Sequence, residues 1–172
     1  MSKFSQQGIG KGMIYAAWLI ILGLLTLFFN QYLDKEYNPN QNISTKYNQD
    51  SSREVRLKRN RNGHYVTNGT INGKSVVFFL DTGATIVSIP AHLKDYLNLE
   101  QGVPLMAQTA NGSIRTYHTS LDNIGIGAIE LHNVRASLNP QMQMNEILLG
   151  MSFLKHLEFT QRGDTLILRQ NL

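Results

Sequence analysis

A single carboxylate stands where an apolar strand would end. Val76-Val77-Phe78-Phe79-Leu80 is a five-residue apolar run, and Asp81-Thr82-Gly83-Ala84-Thr85 follows it at once. An ionised Asp leaving a buried strand is costly to desolvate unless its neighbours satisfy it or its chemistry requires it there. Gly83 removes the Cβ that would keep a backbone amide away from the carboxylate. Thr82 and Thr85 add hydroxyls able to lock the loop by local hydrogen bonds. A carboxylate in that setting is a candidate for chemistry, and the segments around it must decide.

Other chemistries fall away on composition. The 172 residues contain no Cys, which excludes disulfides, thiol nucleophiles and thiolate metal sites. His64, His92, His118, His132 and His156 show no metal-ligand spacing, so neither a metal site nor a cofactor is expected. The net charge of +4 is unevenly spread: residues 63–172 carry seven basic and eight acidic residues, while residues 30–62 carry seven basic and four acidic. A near-neutral folded part does not support a nucleic-acid-binding face.

The elements that position Asp81 lie late in the chain. Met13–Phe29 is a run of seventeen uncharged residues, spanning roughly 25 Å as a helix. A cleaved signal peptide would need small residues at its end, and Leu27-Phe28-Phe29-Asn30-Gln31 offers none. The expectation is an uncleaved membrane anchor, with residues 1–12 carrying Lys3 and Lys11 on the cytoplasmic side. Gly8–Gly12, preceded by no strand, is expected to be a flexible juxtamembrane segment rather than a phosphate loop. Residues 30–60 read as a polar, partly basic linker. Arg53, Arg56, Lys58, Arg59 and Arg61 form a basic run there that is expected to be solvated or to touch lipid headgroups.

From residue 61 the texture is short strands between turn signals. Asn72-Gly73 marks a hairpin joining Tyr65–Thr70 to Lys74–Leu80. Thr85–Ile89 is a short strand, and Pro90 opens a helix over Ala91–Leu97. Val103–Thr109 and Ser113–Thr119 flank a second turn at Ala110-Asn111-Gly112. Leu121–Ile126 and Ile129–Leu138 follow, then the apolar Ile147-Leu148-Leu149-Gly150, a helix over Met151–Leu157 and a last hairpin, Phe159–Gln161 with Thr165–Arg169. The fold class is all-β, a compact barrel with one or two short helices behind a single transmembrane helix.

Asp81-Thr82-Gly83-Ala84-Thr85, then Thr109-Ala110-Asn111-Gly112, then Leu148-Leu149-Gly150-Met151-Ser152-Phe153-Leu154 keep the order and approximate spacing of a known family. Residues 61–172 resemble the retropepsin-like aspartic proteases, in the single-domain bacterial form tethered by an N-terminal helix; Asn38-Pro39-Asn40 resembles that group too. The resemblance implies Asp81 as catalyst and Thr82, Gly83, Ala84 and Thr85 as its loop. It implies Thr109, Ala110, Asn111 and Gly112 as a flap over substrate, and Leu148, Leu149 and Gly150 as support beneath the loop. It places the domain on the periplasmic side of a bacterial inner membrane. With one Asp-Thr-Gly per chain, a homodimer must supply the second carboxylate, and the C-terminal strand Thr165–Arg169 is expected to contribute to its interface. Ala84 stands where a Ser hydroxyl would favour the ionised carboxylate, which places activity in the mildly acidic to near-neutral range. The competing expectation is a barrel of the same kind that dimerises and binds peptides without cutting them.

Overall fold

The computed structural model describes residues 6–47, 51–109 and 112–171. It divides into two compact units, one ending at Glu36 and one beginning at Tyr37. The first is a single helix, α1, Gln6–Tyr37. Its apolar side chains face outward all round, Trp18 at 66% exposure and Leu19 at 70% among them. A helix apolar on every side suits lipid surroundings. The stretch Lys11–Tyr37 is long and apolar enough to cross a membrane. Gly8–Gly12, expected to be flexible, falls within the first turns of this helix.

The second unit is strand-built. β3 (Val66–Ile71) and β4 (Lys74–Leu80) pair through the turn at Asn72 and Gly73, both at positive φ. β5 (Val87–Pro90), β6 (Pro104–Thr109), β7 (Gly112–Ile126), β8 (Ile129–Asn139) and β9 (Ile147–Leu149) complete a seven-stranded sheet in the order β3-β4-β9-β5-β8-β7-β6. Thr70 and Ile71 of β3 also pair with Gly125 and Ile124 of β7, which closes the sheet into a barrel. Phe78, Ile89, Leu121, Ile124, Leu138 and Ile147 are fully buried inside it. The helix expected over Ala91–Leu97 is only a 3-10 turn at Ala91–Leu93 followed by a run of turns that ends at Asn98, in the left-handed region. The helix expected over Met151–Leu157 is shorter as well: α2 is Met151–Leu154.

The expected linker at residues 30–60 is the main difference. Residues 30–37 continue α1, and β1 (Thr45–Tyr47) and β2 (Arg53–Lys58) join a four-stranded sheet, β1-β2-β11-β10. Its other strands are β10 (Glu158–Arg162) and β11 (Thr165–Gln170). β2 alternates: Val55 and Leu57 are buried in the core shared with Leu166 and Leu168, while Arg56 and Lys58 face out. Asn38 and Asn40, each 5% exposed, anchor the segment on the barrel. Asn40 Nδ2 donates to the carbonyls of Lys58 (2.9 Å) and Val66 (2.7 Å), and its Oδ1 accepts the Lys58 amide (2.6 Å). Asn38 Oδ1 accepts the Asn40 amide, and Asn38 Nδ2 donates to Asn68 Oδ1. Three residues of the basic run have partners within the unit. Arg56 pairs with Glu54, Arg59 with Asp164, and Arg53 donates to the Ala128 carbonyl.

Candidate active site

Asp81 follows the last residue of β4, and the backbone around it is tied to β9. β4 and β9 run parallel, with Leu80 opposite Leu149 and Phe79 opposite Leu148. The Asp81 amide donates to the Leu149 carbonyl at 3.2 Å, and the Met151 amide donates to the Ala84 carbonyl at 2.8 Å. Between these two bonds sits Gly150. A Cβ on it would lie 2.5 Å from the Ile86 carbonyl oxygen and 2.6 Å from that of Ala84, so only Gly lets β9 pass beneath the loop. Ser152 adds a buried latch: its Oγ accepts the Val87 amide (2.9 Å) and donates to the Arg135 carbonyl (2.8 Å).

The carboxylate itself is half-buried, and Thr82, Gly83 and Thr85 are exposed. Asp81 Oδ1 accepts the Gly83 amide at 2.9 Å, while the Ala84 amide returns to the Asp81 carbonyl at 3.2 Å. A Cβ on Gly83 would stand only 3.2 Å from that oxygen, closer than nearly all real Cβ contacts. One side-chain bond leaves most of the acceptor capacity of the carboxylate unused. Asp81 opens onto a cavity of about 580 Å³ lined also by His64, Tyr65, Phe79, Thr82, Leu154, Phe159 and Leu168. Among the described residues lining it, Asp81 is the only carboxylate.

Leu148, Leu149 and Gly150 therefore lie under the Asp81 loop. Thr109 and Gly112 do not line its cavity; they face each other at the end of the β6–β7 hairpin, Thr109 Oγ1 donating to the Gly112 carbonyl at 2.8 Å. Ala110 and Asn111 lie outside the described residues. Sequence reading missed His64, whose ring stacks at 4.8 Å on Phe79 beside the cavity, and Ser152. His64 precedes its strand without any pattern to single it out. Ser152 is one hydroxyl in an apolar run, and only the fold shows what it touches.

Residues 67–156, just over half of the chain, match a family described as "gag-polyprotein putative aspartyl protease". A protein of Sinorhizobium sp., described as an uncharacterized protein in the cobV 5′ region, is 33% identical over 124 residues, 70% of this chain and 53% of its own length. The chain thus spans about half the length of that curated relative. The crystal structure of a retropepsin-like aspartic protease from Rickettsia conorii superposes with a TM-score of 0.59 and 27% identity, covering 75% of this chain and 96% of that one. The EIAV protease complexed with the inhibitor HBY-793 gives a TM-score of 0.46 at 19% identity, over 58% of this chain and 92% of its own.

Proposed function

The chain belongs to the retropepsin-like aspartic protease family, and on that premise we propose that it is a membrane-anchored endopeptidase working as a homodimer. Two copies of Asp81 would meet across a two-fold axis. Two carboxylates at contact distance cannot both stay ionised, so they share one proton. The charged one draws a proton from a water held between them, the water attacks the peptide carbonyl, and the protonated one stabilises the tetrahedral intermediate. The leaving amine then takes up a proton. Thr82, exposed beside Asp81, is placed in this reading to brace the two loops against each other.

The observation that carries the reading is the Asp81 carboxylate, fixed by one amide in a cavity where no second acid lies among the described lining residues. The sheet topology favours a particular seam. β11, the expected interface strand, has β2 on one side and β10 on the other, so its hydrogen-bonding edges are used up. β10 is one of the two edge strands of this sheet, β1 being the other; all five β10 residues are exposed, and Phe159 and Gln161 line the Asp81 cavity. We assign the dimer contact to β10 in place of Thr165–Arg169. α1 supports anchoring in a bacterial inner membrane, with Lys3 and Lys11 on the cytoplasmic side and the catalytic unit, here residues 37–172, on the periplasmic side. Confinement to the bilayer raises the concentration of each protomer around the other. Peptide or protein segments are the substrate, and Thr109–Gly112 remains the proposed flap.

The test is cleavage of an unstructured protein by the full chain in detergent, from pH 4 to 7.5, beside Asp81→Asn. Cleavage by the wild type alone, disappearing on dilution below the dimer constant, is the expected result. Peptide binding without cleavage by a folded dimer would overturn it in favour of a non-cleaving peptide-binding module.

A further inference from the structure

A second cavity, of about 270 Å³, is lined by β8 residues and by residues of α2 and the turn after it. It forms where strand pairing stops. β5 pairs with β8 only over Ala136–Asn139, so the edge of β8 from Leu131 to Arg135 has no strand beside it. α2 and the residues after it fill part of that space, with Ser152 Oγ donating to the Arg135 carbonyl. The lining includes His132 and Arg135 from β8, and Lys155 and His156 from the turn after α2. All four are exposed, and no acid lines the cavity with them among the described residues.

The domain as a whole does not account for this concentration. Residues 63–172 carry one more acid than base, yet two of their seven Lys and Arg and two of their five His converge here. Arg53, Arg56 and Arg59 meet a carbonyl or an acid, whereas Arg135 and Lys155 have no ion pair among the described residues. Unopposed cations around a concavity beside an unpaired strand edge make a candidate anion site.

We infer that this cavity binds a phosphate-bearing anion, held by Arg135 and Lys155 with His132 and His156 as further donors. Arg135 offers a planar fork to two oxygens, and Lys155 a point charge to a third. An anion joining β8 to the end of α2 would also stiffen the element whose first amide holds Ala84 and whose Ser152 holds Val87. The site does not depend on the proteolytic reading.

The test uses the isotope-labelled full chain in zwitterionic detergent, titrated with inorganic phosphate at constant ionic strength. A parallel arm uses the chain in phosphatidylcholine vesicles with and without phosphatidic acid. The expected result is saturable amide shifts at residues 131–135 and 152–156, with affinity reduced roughly tenfold or more in Arg135→Gln/Lys155→Gln. Shifts in the phosphate arm identify a free anion; shifts in the phosphatidic acid arm alone identify a lipid headgroup. No response at those residues in either arm, or equal binding by the double variant, would overturn the inference. Both substituted side chains are exposed, so the variant is expected to fold, and an unchanged wild-type amide spectrum elsewhere checks that it does.

Discussion

Two polar stretches of the strand-built unit are built in opposite ways. At Asn38–Asn40 every amide of the side chains is committed: Asn40 alone links the backbones of Lys58 and Val66 while both Asn residues are buried. At Asp81 a charged group is half-exposed and accepts one amide, with open space in front of it. Polar groups that are buried and saturated hold structure, because leaving any of them unmade costs far more than the bond returns. A carboxylate held in place but left with spare acceptor capacity is available for chemistry. The contrast predicts that substitutions at the two places separate stability from activity.

The largest effect is expected from Asp81→Asn. Activity should fall by roughly 10³-fold or more, since one side chain carries both the base and the acid role in a symmetric pair. Its melting temperature should stay close to that of the wild type, and a large drop would break the contrast. Asn40→Ala is the mirror case. It strands two carbonyls and an amide, and urea unfolding should show a loss of about 3 kcal/mol. By the same logic a fragment starting at residue 53 should be markedly less stable than one starting at residue 37. Gly150→Ala lies between the two: its Cβ overlaps two carbonyl oxygens, so stability and turnover should fall together.

Smaller effects sharpen the comparison. Ser152→Ala removes the acceptor of the Val87 amide and should cost about 1–2 kcal/mol, with a modest loss of turnover through the loosened loop. Ala84→Ser would add a donor beside the ionised carboxylate. The acidic limb of the rate profile should then move to lower pH, and an unmoved limb would remove the role assigned to position 84. Arg56→Ala, which breaks only an exposed pair with Glu54, should change stability by less than about 0.5 kcal/mol.

Much of this was legible in residue order. The Val76–Leu80 run reads as a buried strand because five apolar residues have no exposed face to offer, and Asn72-Gly73 reads as its hairpin because both residues accept positive φ. The segment after the helix was misread for a physical reason. Arg53-Glu54-Val55-Arg56-Leu57-Lys58 alternates apolar and charged as a half-buried strand does, but the charges mask a pattern only two apolar residues long. Asn38 and Asn40 carry no local sign of burial, since an Asn is equally at home in a disordered spacer and in a saturated clamp.

Local sequence alone was enough to determine the apolar helix, the Asp81 turn and the hairpins, because each depends on neighbours along the chain, and the order of three short segments was enough for the family. Tertiary structure alone decided what pairs with what. It placed β2 beside β11 and left β10 at an edge, seated Gly150 under Ala84 and Ile86, and gathered His132, Arg135, Lys155 and His156 around one cavity. Those contacts join residues far apart in sequence, and only the closing of the barrel brings them within reach of one another.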